Sequence, residues 1–332
     1  MIQEVSEKLY MRDKYGRDIY YLRISITDRC NLRCVYCMSD GIVNYISHED
    51  ILRFEEIAEI VDSSTEIGFS SVRITGGEPL VRKGAPKLVG LLKGIKGIKR
   101  VTMTTNGVLL NKYAEELKEN GIDSINVSLD TLDTKKYRLI TRNGNLNDVL
   151  NGIEKALNVG LNIKLNVVLQ KGNVDDIKDL IMYSKIMGVS IRFIEYMPLD
   201  SCMNLSEGSF VSSRKVIELI ENKFGTIEET NKVAGDGPAK YIYIKHIGIY
   251  VGIISAVSTP FCSSCNRIRI TSNGVVKPCL ASNIGYDIRS IVRKDHKRED
   301  ITDVLIKAIN NKPLKHHLTD GNSNIEMRKI GG

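Results

Sequence analysis

The chain has 332 residues, 42% hydrophobic and 26% charged, with a formal net charge of +7. That length exceeds a typical domain of roughly 100–200 residues, so one large domain or two is expected. No run approaches the roughly 18 apolar residues that span a bilayer, the polar opening MIQEVSEKLYMRDKYGRD lacks an apolar signal core, and Lys and Arg are interleaved with Asp and Glu, so a cytoplasmic protein with no membrane and no nucleic-acid partner is expected.

In chain order, YYLRISIT (20–27) reads as a strand and runs directly into CNLRCVYC (30–37). Residues 49–67 have helical apolar spacing, with Ser47 or His48 near the start. SVRIT (71–75) is the next strand, followed by a helix over 85–95. RVTMTT (100–105) and DSINVSLD (123–130) are strands separated by a helix over 111–120 that stops at Gly121. Helices follow at about 134–140 and 146–159, then strand NIKLNVVL (162–169), a helix over 174–187, and strand SIRFIEYM (190–197). Repeated βα units imply a parallel sheet with right-handed crossovers. A curved, barrel-like sheet and an open doubly wound sheet both fit, and either places function at the carboxyl ends of the strands.

After a helix at about 213–223 the character changes. GTIEETNKVAGDGPAK (225–240) is Gly-rich and polar, the signature of a linker or loop. Two short β-like runs, the stretch FCSSCNRIRITSNGVVKPCL (261–280), a helix at about 300–310 and a terminal IGG complete the chain.

Six of the seven cysteines fall in two tight groups, Cys30, Cys34 and Cys37, then Cys262, Cys265 and Cys279. A reducing cytosol argues against disulfides, and such clustering points to ligation. Structural zinc takes four ligands, whereas each group offers three. A four-iron cluster held by three thiolates would leave one iron open to a small molecule. Zinc sites completed by His246 or His48 are the competing reading, and Cys202 reads as a plain thiol.

CxxxCxxC at the end of the first strand, enclosing Tyr36, and TGGEP (75–79) at the end of the second resemble the radical S-adenosylmethionine (SAM) superfamily. The second triplet with its RxR, the segment RFIEYMPLD and the terminal Gly-Gly narrow the resemblance to the GTP 3′,8-cyclase family of molybdenum cofactor biosynthesis, from about Arg23 to Gly332. The family commonly has Thr-Gly-Arg-Asp where this chain reads ITRNGNL (140–146), so no role passes to Arg142.

The resemblance implies an α/β fold, a partial (β/α)6 TIM-type barrel over residues 14–232, with a C-terminal extension over 233–332 that closes the barrel and carries a second iron–sulfur cluster. It implies two 4Fe-4S clusters on the two triplets. SAM would bind the open iron of the first, contacted by Gly77, Ser128, Met197 and the Tyr36 backbone. GTP would bind the second, with Thr104 hydrogen-bonded to it. Its triphosphate would meet Arg23, Arg73, Lys164 and the run Arg267–Ile268–Arg269, where alternation puts the two arginines on one face and their planar forks match phosphate oxygens. A 5′-deoxyadenosyl radical would take hydrogen from C3′, and C3′ would attack C8 to give (8S)-3′,8-cyclo-7,8-dihydroguanosine 5′-triphosphate. Gly331 and Gly332 would thread into the active site as catalytic residues. An electron donor such as flavodoxin or ferredoxin, a downstream cyclic pyranopterin monophosphate synthase and a homodimer are further implications. A radical SAM enzyme acting on a peptide and a non-catalytic iron–sulfur protein stay open as alternatives.

Overall fold

The computed structural model describes residues 11–38, 43–199, 210–231, 236–316, 318 and 327–331. Cys202 and Gly332 lie outside them. A small hairpin pairs Met11–Arg12 with Asp18–Ile19. The βα series follows: β1 (Tyr21–Ser25), α1 (Phe54–Thr65), β2 (Ser71–Thr75), α2 (Ala85–Lys93), β3 (Arg100–Thr105), α3 (Leu110–Glu119), β4 (Ser124–Ser128), α4 (Thr134–Thr141), α5 (Leu146–Asn158), β5 (Ile163–Leu169), α6 (Ile177–Ile186) and β6 (Ser190–Glu195). Then come α7 (Ser213–Phe224), β7 (Ile227–Thr230), β8 (Lys240–Ile244), β9 (Ile249–Ile254), β10 (Arg267–Ile270), β11 (Val275–Lys277), β12 (Tyr286–Asp287), α8 (Arg289–Val292), α9 (Arg298–Asn310) and α10 (Met327–Ile330).

Helix starts follow local chemistry. The side chains of Asp133, Asn145 and Ser212 accept from main-chain N–H groups at the starts of α4, α5 and α7. The first helix is an exception to expectation. Residues 48–50 form a separate 3₁₀ turn, and α1 begins at Phe54, where the Glu56 carboxylate reaches back 2.6 Å to the Arg53 N–H.

The strands from β1 onward form one 12-stranded sheet in the order β12–β11–β10–β1–β2–β3–β4–β5–β6–β9–β8–β7. Neighbours from β1 to β6 are parallel. β5 shows how each strand serves two environments: Ile163, Leu165, Val167 and Leu169 are buried in the helix-covered core, while Lys164, Asn166 and Val168 alternate onto the other face. Side chains of β1, β2, β3, β4, β5 and β6 line one shared interior, which a flat sheet could not bring together. The sheet is therefore a partial barrel, with β12 and β7 as free edges among the described residues.

The C-terminal residues do more than append a unit. They insert β9 parallel beside β6 and β10 parallel beside β1, so the sheet runs unbroken from one region into the other. Because β9 and β10 flank opposite sides of the series and run the same way, the link over residues 255–266 must cross the open side from carboxyl ends to amino ends. That link carries Cys262 and Cys265. β11 returns antiparallel and brings Cys279 back to the same end. No helix among the described residues is long and apolar enough to cross a membrane.

A candidate active site between two cysteine triplets

The first triplet sits where β1 ends. Cys30, Cys34 and Cys37 line a cavity of about 180 Å³ together with Tyr36, Gly77, Ser128 and Met197. Hydrogen bonds from Arg33 N to Thr141 O (3.2 Å) and Val35 N to Ile140 O (2.9 Å) pin the thiol loop to α4. Tyr36 Oη donates to Asp130 at 2.6 Å, tying the loop to the end of β4. The TGGEP turn packs directly beneath: Gly77 N donates to Thr27 O at 2.7 Å and Glu78 N to Arg29 O at 2.8 Å. A Cβ on Gly77 would stand 2.5 Å from the Arg29 carbonyl, so glycine is needed here for turn-to-loop packing. Buried Glu78 accepts from Thr105 Oγ1, Asn106 N and Leu80 N.

All three thiols are free and poorly ionised in this setting. Burial, helped by the Glu78 carboxylate, pushes Cys30 up to about 11. Burial and the neighbouring Cys30 push Cys37 to about 12, and burial with Cys37 and Asp130 holds Cys34 well above its ordinary value.

The second triplet is set against cations. Cys262, Cys265 and Cys279 line a cavity of about 160 Å³ with Tyr21, Arg23, Arg73, Arg192, Arg267, Arg269 and Lys312. Burial pushes Cys265 up, but Lys312 and Arg267 outweigh it and hold the thiol down at about 7. Register explains the arginine row: Arg269 pairs with Arg23, and Arg23 with Arg73, on three adjacent strands. Burial and mutual repulsion lower Arg269 and Arg192 to about 10 and Arg23 further. Tyr21, hydrogen-bonded to Arg73 Nε, is brought down to about 8 by Arg73 and Arg23 against the opposing effect of burial. Such a concentration of buried positive charge calls for an anion.

Thr104, Asn166, Ile194, Met197 and Met327 line both cavities, so the triplets face two ends of one barrel interior. Three thiolates per site, one per iron, suit three corners of a four-iron cluster. Among the described residues no three His, Cys, Asp or Glu side chains converge tightly enough for a single metal ion, which is the geometry a zinc site would need.

Residues 24–183 match the profile of the Radical SAM superfamily, and residues 189–318 that of Molybdenum Cofactor Synthesis C. A curated GTP 3′,8-cyclase from Desulforamulus reducens is 42% identical over 325 residues, covering 97% of this chain and all of the relative. Another, from Thermodesulfovibrio yellowstonii, is 45% identical over 306 residues, covering 91% of this chain and 94% of the relative. The chain belongs to the GTP 3′,8-cyclase family. Among solved structures, Streptococcus suis SuiB bound to precursor peptide SuiA aligns at TM-score 0.66 with 16% identity, covering 96% of this chain and 72% of that one. Native anSMEcpe with bound AdoMet aligns at 0.61 with 17% identity, covering 90% and 83%. At these identities the likeness is one of fold.

For a member of the GTP 3′,8-cyclase family, the interior gathers most of the expected side chains. Arg23, Arg73, Thr104, Arg267 and Arg269 line the second cavity. Lys164 lines an adjoining cavity that shares Tyr21, Arg73, Asn126 and Arg192. Ile268 does not join them. It alternates to the opposite face and is fully buried in the apolar core, so only its main chain could approach a ligand. The site is also not confined to the carboxyl ends of the strands: Arg23 and Arg73 are mid-strand, and the second triplet lies toward the amino ends.

The tail is docked as far as Gly331. Arg328 is buried against Asp28 at 3.3 Å and donates to Asn44 O at 3.0 Å. Arg269 Nη1 donates to the Gly331 carbonyl at 2.6 Å. Gly331 has φ +80°, and a Cβ there would lie 2.0 Å from Thr75 Oγ1. Arg142, also at positive φ, donates to Met38 O at 3.0 Å beside the first thiol loop.

Sequence reading missed Tyr21, Asn126, Asn166 and Arg192. The oxygens of Asn126 and Asn166, and Nε and Nη2 of Arg192, have no hydrogen-bond partner among the described residues although buried. Arg192 is register-paired with Gly252 of β9, where a Cβ would stand 2.6 Å from Arg192 Cγ. The available signal was alternation: Arg192 repeats the every-second-residue polarity of Lys164 and Asn166 on the neighbouring strand.

Proposed function

We propose that the chain is a radical SAM cyclase converting GTP to (8S)-3′,8-cyclo-7,8-dihydroguanosine 5′-triphosphate in molybdenum cofactor biosynthesis. The observation that carries this reading is one barrel interior with a thiol triplet at each end and buried arginines between them. When bound, the first cluster and SAM supply the 5′-deoxyadenosyl radical that takes hydrogen from C3′ of GTP.

The chain's own residues bind, orient and exclude water. Cys30, Cys34 and Cys37 hold the first 4Fe-4S cluster, and Gly77, Ser128, Met197 and the Tyr36 backbone contact SAM. Cys262, Cys265 and Cys279 would hold a second cluster, whose open iron would offer a site to the guanine base. Arg23, Arg73, Lys164, Arg267 and Arg269, joined by Arg192, neutralise the triphosphate, and the Thr104 hydroxyl and the unpartnered amide oxygens of Asn126 and Asn166 offer polar contacts to the nucleoside. The shared wall joins apolar Ile194, Met197 and Met327 to the polar groups of Thr104 and Asn166. The Gly331 carbonyl, held by Arg269, offers a main-chain group without side-chain bulk, and Gly331 and Gly332 are assigned as the catalytic residues that help place the ribose for reaction. We assign residues 14–232 to the radical SAM core and 233–332 to the region that carries the second triplet, closes the barrel and ends in the Gly-Gly tail. A cytoplasmic setting, an electron donor such as flavodoxin or ferredoxin, hand-over to cyclic pyranopterin monophosphate synthase and a homodimer complete the reading.

The test is anaerobic incubation of reconstituted protein with GTP, SAM and reductant, followed by mass analysis. A product isomeric with GTP together with 5′-deoxyadenosine is expected. SAM cleavage with GTP returned unchanged would refute the assignment.

A further inference from the structure

We propose that Lys312 is a positioning residue for the second cluster: its ammonium clamps the two chain segments that present Cys265 and Cys279 and sets a positive charge against the ligated thiolates. This rests on the reading of Cys262, Cys265 and Cys279 as cluster ligands.

Lys312 follows α9, whose Ile301, Leu305, Ala308 and Ile309 are buried, so the lysine projects from a firmly seated helix. It is only 2% exposed. Its Nζ donates to the Arg267 carbonyl at 2.8 Å and to the Pro278 carbonyl at 2.9 Å. Arg267 stands two residues after Cys265, and Pro278 immediately precedes Cys279. β10 and β11 pair antiparallel between these points, so the two thiols lie at the open end of a hairpin and Lys312 staples that end shut. Lys312 lines the same cavity as Cys262, Cys265 and Cys279.

Two carbonyls alone would not call for a lysine. A neutral amide could bridge them, and a buried ammonium is unfavourable without a full counter-charge. Main-chain dipoles offset only part of that charge. A thiolate-ligated cluster, negative on its sulfurs, would supply the remainder, and a cation beside a cluster stabilises its reduced state. Among the described residues no lysine lines the cavity of the first triplet, and the buried Arg328 is paired with Asp28.

The full chain, wild type and with Lys312→Met or Lys312→Arg, is reconstituted anaerobically. Iron per chain is measured, and both clusters are followed by electron paramagnetic resonance during redox titration. The first cluster, identified by its response to added SAM, serves as the internal control for folding. Wild type should approach about eight iron per chain. Lys312→Met should lose iron from the second cluster alone, and the remaining second cluster should show a more negative midpoint potential. Lys312→Arg should restore both occupancy and potential. Full second-cluster occupancy at unchanged potential in Lys312→Met overturns the proposal. Loss of both clusters together also overturns it, because Lys312 would then serve the core at large. Wild-type protein that holds only about four iron removes the second cluster itself, and with it the reading beneath the proposal.

Discussion

The two thiol triplets offer the same donors in opposite electrostatic surroundings. Burial holds Cys30, Cys34 and Cys37 protonated, with the Glu78 carboxylate adding to it at Cys30 and Asp130 at Cys34, Cys30 at about 11 and Cys37 at about 12. Cys265 sits beside Lys312 and Arg267 and is held at about 7. The difference follows from position in the barrel. The first triplet closes the carboxyl ends, where Thr75, Thr105, Ser128 and Glu195 end their strands and buried Glu78 and Asp130 stand close by. The second faces the arginine row contributed by β10, β1 and β2. Thiol count alone says nothing about this; the neighbouring charges decide it, and the buried cations make the second end the one suited to an anion.

The sharpest way to break the comparison is to remove one thiol at each end. Cys34→Ala should abolish SAM cleavage outright, whereas Cys265→Ala should retain uncoupled 5′-deoxyadenosine formation and make no cyclised product. Chromatographic quantitation of both compounds decides it, and cyclised product from Cys265→Ala would contradict the division of labour.

The tail bridges the two ends, through Arg328 to Asp28 on one side and Gly331 to Arg269 on the other. Gly331→Ala places a methyl against Thr75 and should displace this strap. A displacement of about 1 Å can lower turnover about 10²-fold. Cyclised product should fall by about that factor while 5′-deoxyadenosine still forms, and undiminished product would return the tail to a passive role.

Thiol chemistry in cluster-free protein reads the contrast directly. Cys265, lowered to about 7, gains thiolate as pH rises through neutrality and loses it below, whereas Cys30 stays protonated until about 11. The greater intrinsic nucleophilicity of a high-pKa thiolate offsets part of that gap, leaving about a hundredfold faster alkylation of Cys265 at neutral pH. Peptide mapping after timed iodoacetamide exposure measures it; equal labelling would show that the two surroundings do not differ as described.

The smallest effects belong to single cations. A charge-assisted hydrogen bond contributes roughly 1.5–3 kcal/mol, so Arg267→Ala, Arg269→Ala or Arg192→Ala should weaken GTP about tenfold to a hundredfold. Guanosine should be indifferent to all three. Parallel calorimetric titrations would expose a purely structural role as equal weakening of both ligands.

Much of this was legible because it is local. Strand and helix periods are written in neighbouring residues, so SVRIT and RVTMTT appear as strands at the read positions, and thiol spacing within CNLRCVYC needs no fold to be seen. The family resemblance likewise rests on short runs and on their order. Long-range placement was not local. That β9 and β10 join opposite flanks, forcing residues 255–266 across the open side, depends on hydrogen-bond pairing between strands far apart in sequence. The inward aim of Arg192 and Asn166 depends on register and on curvature, since the same alternation on a flat sheet would face a second helix layer. Lys312 carried no sequence signal, because its partners are the main-chain carbonyls of Arg267 and Pro278, and main-chain groups are the same in every residue. The sequence by itself therefore determined the βα order and the two donor sets; only tertiary packing decided that they face each other through a cationic interior, because charge and distance between remote segments exist only once the barrel has formed.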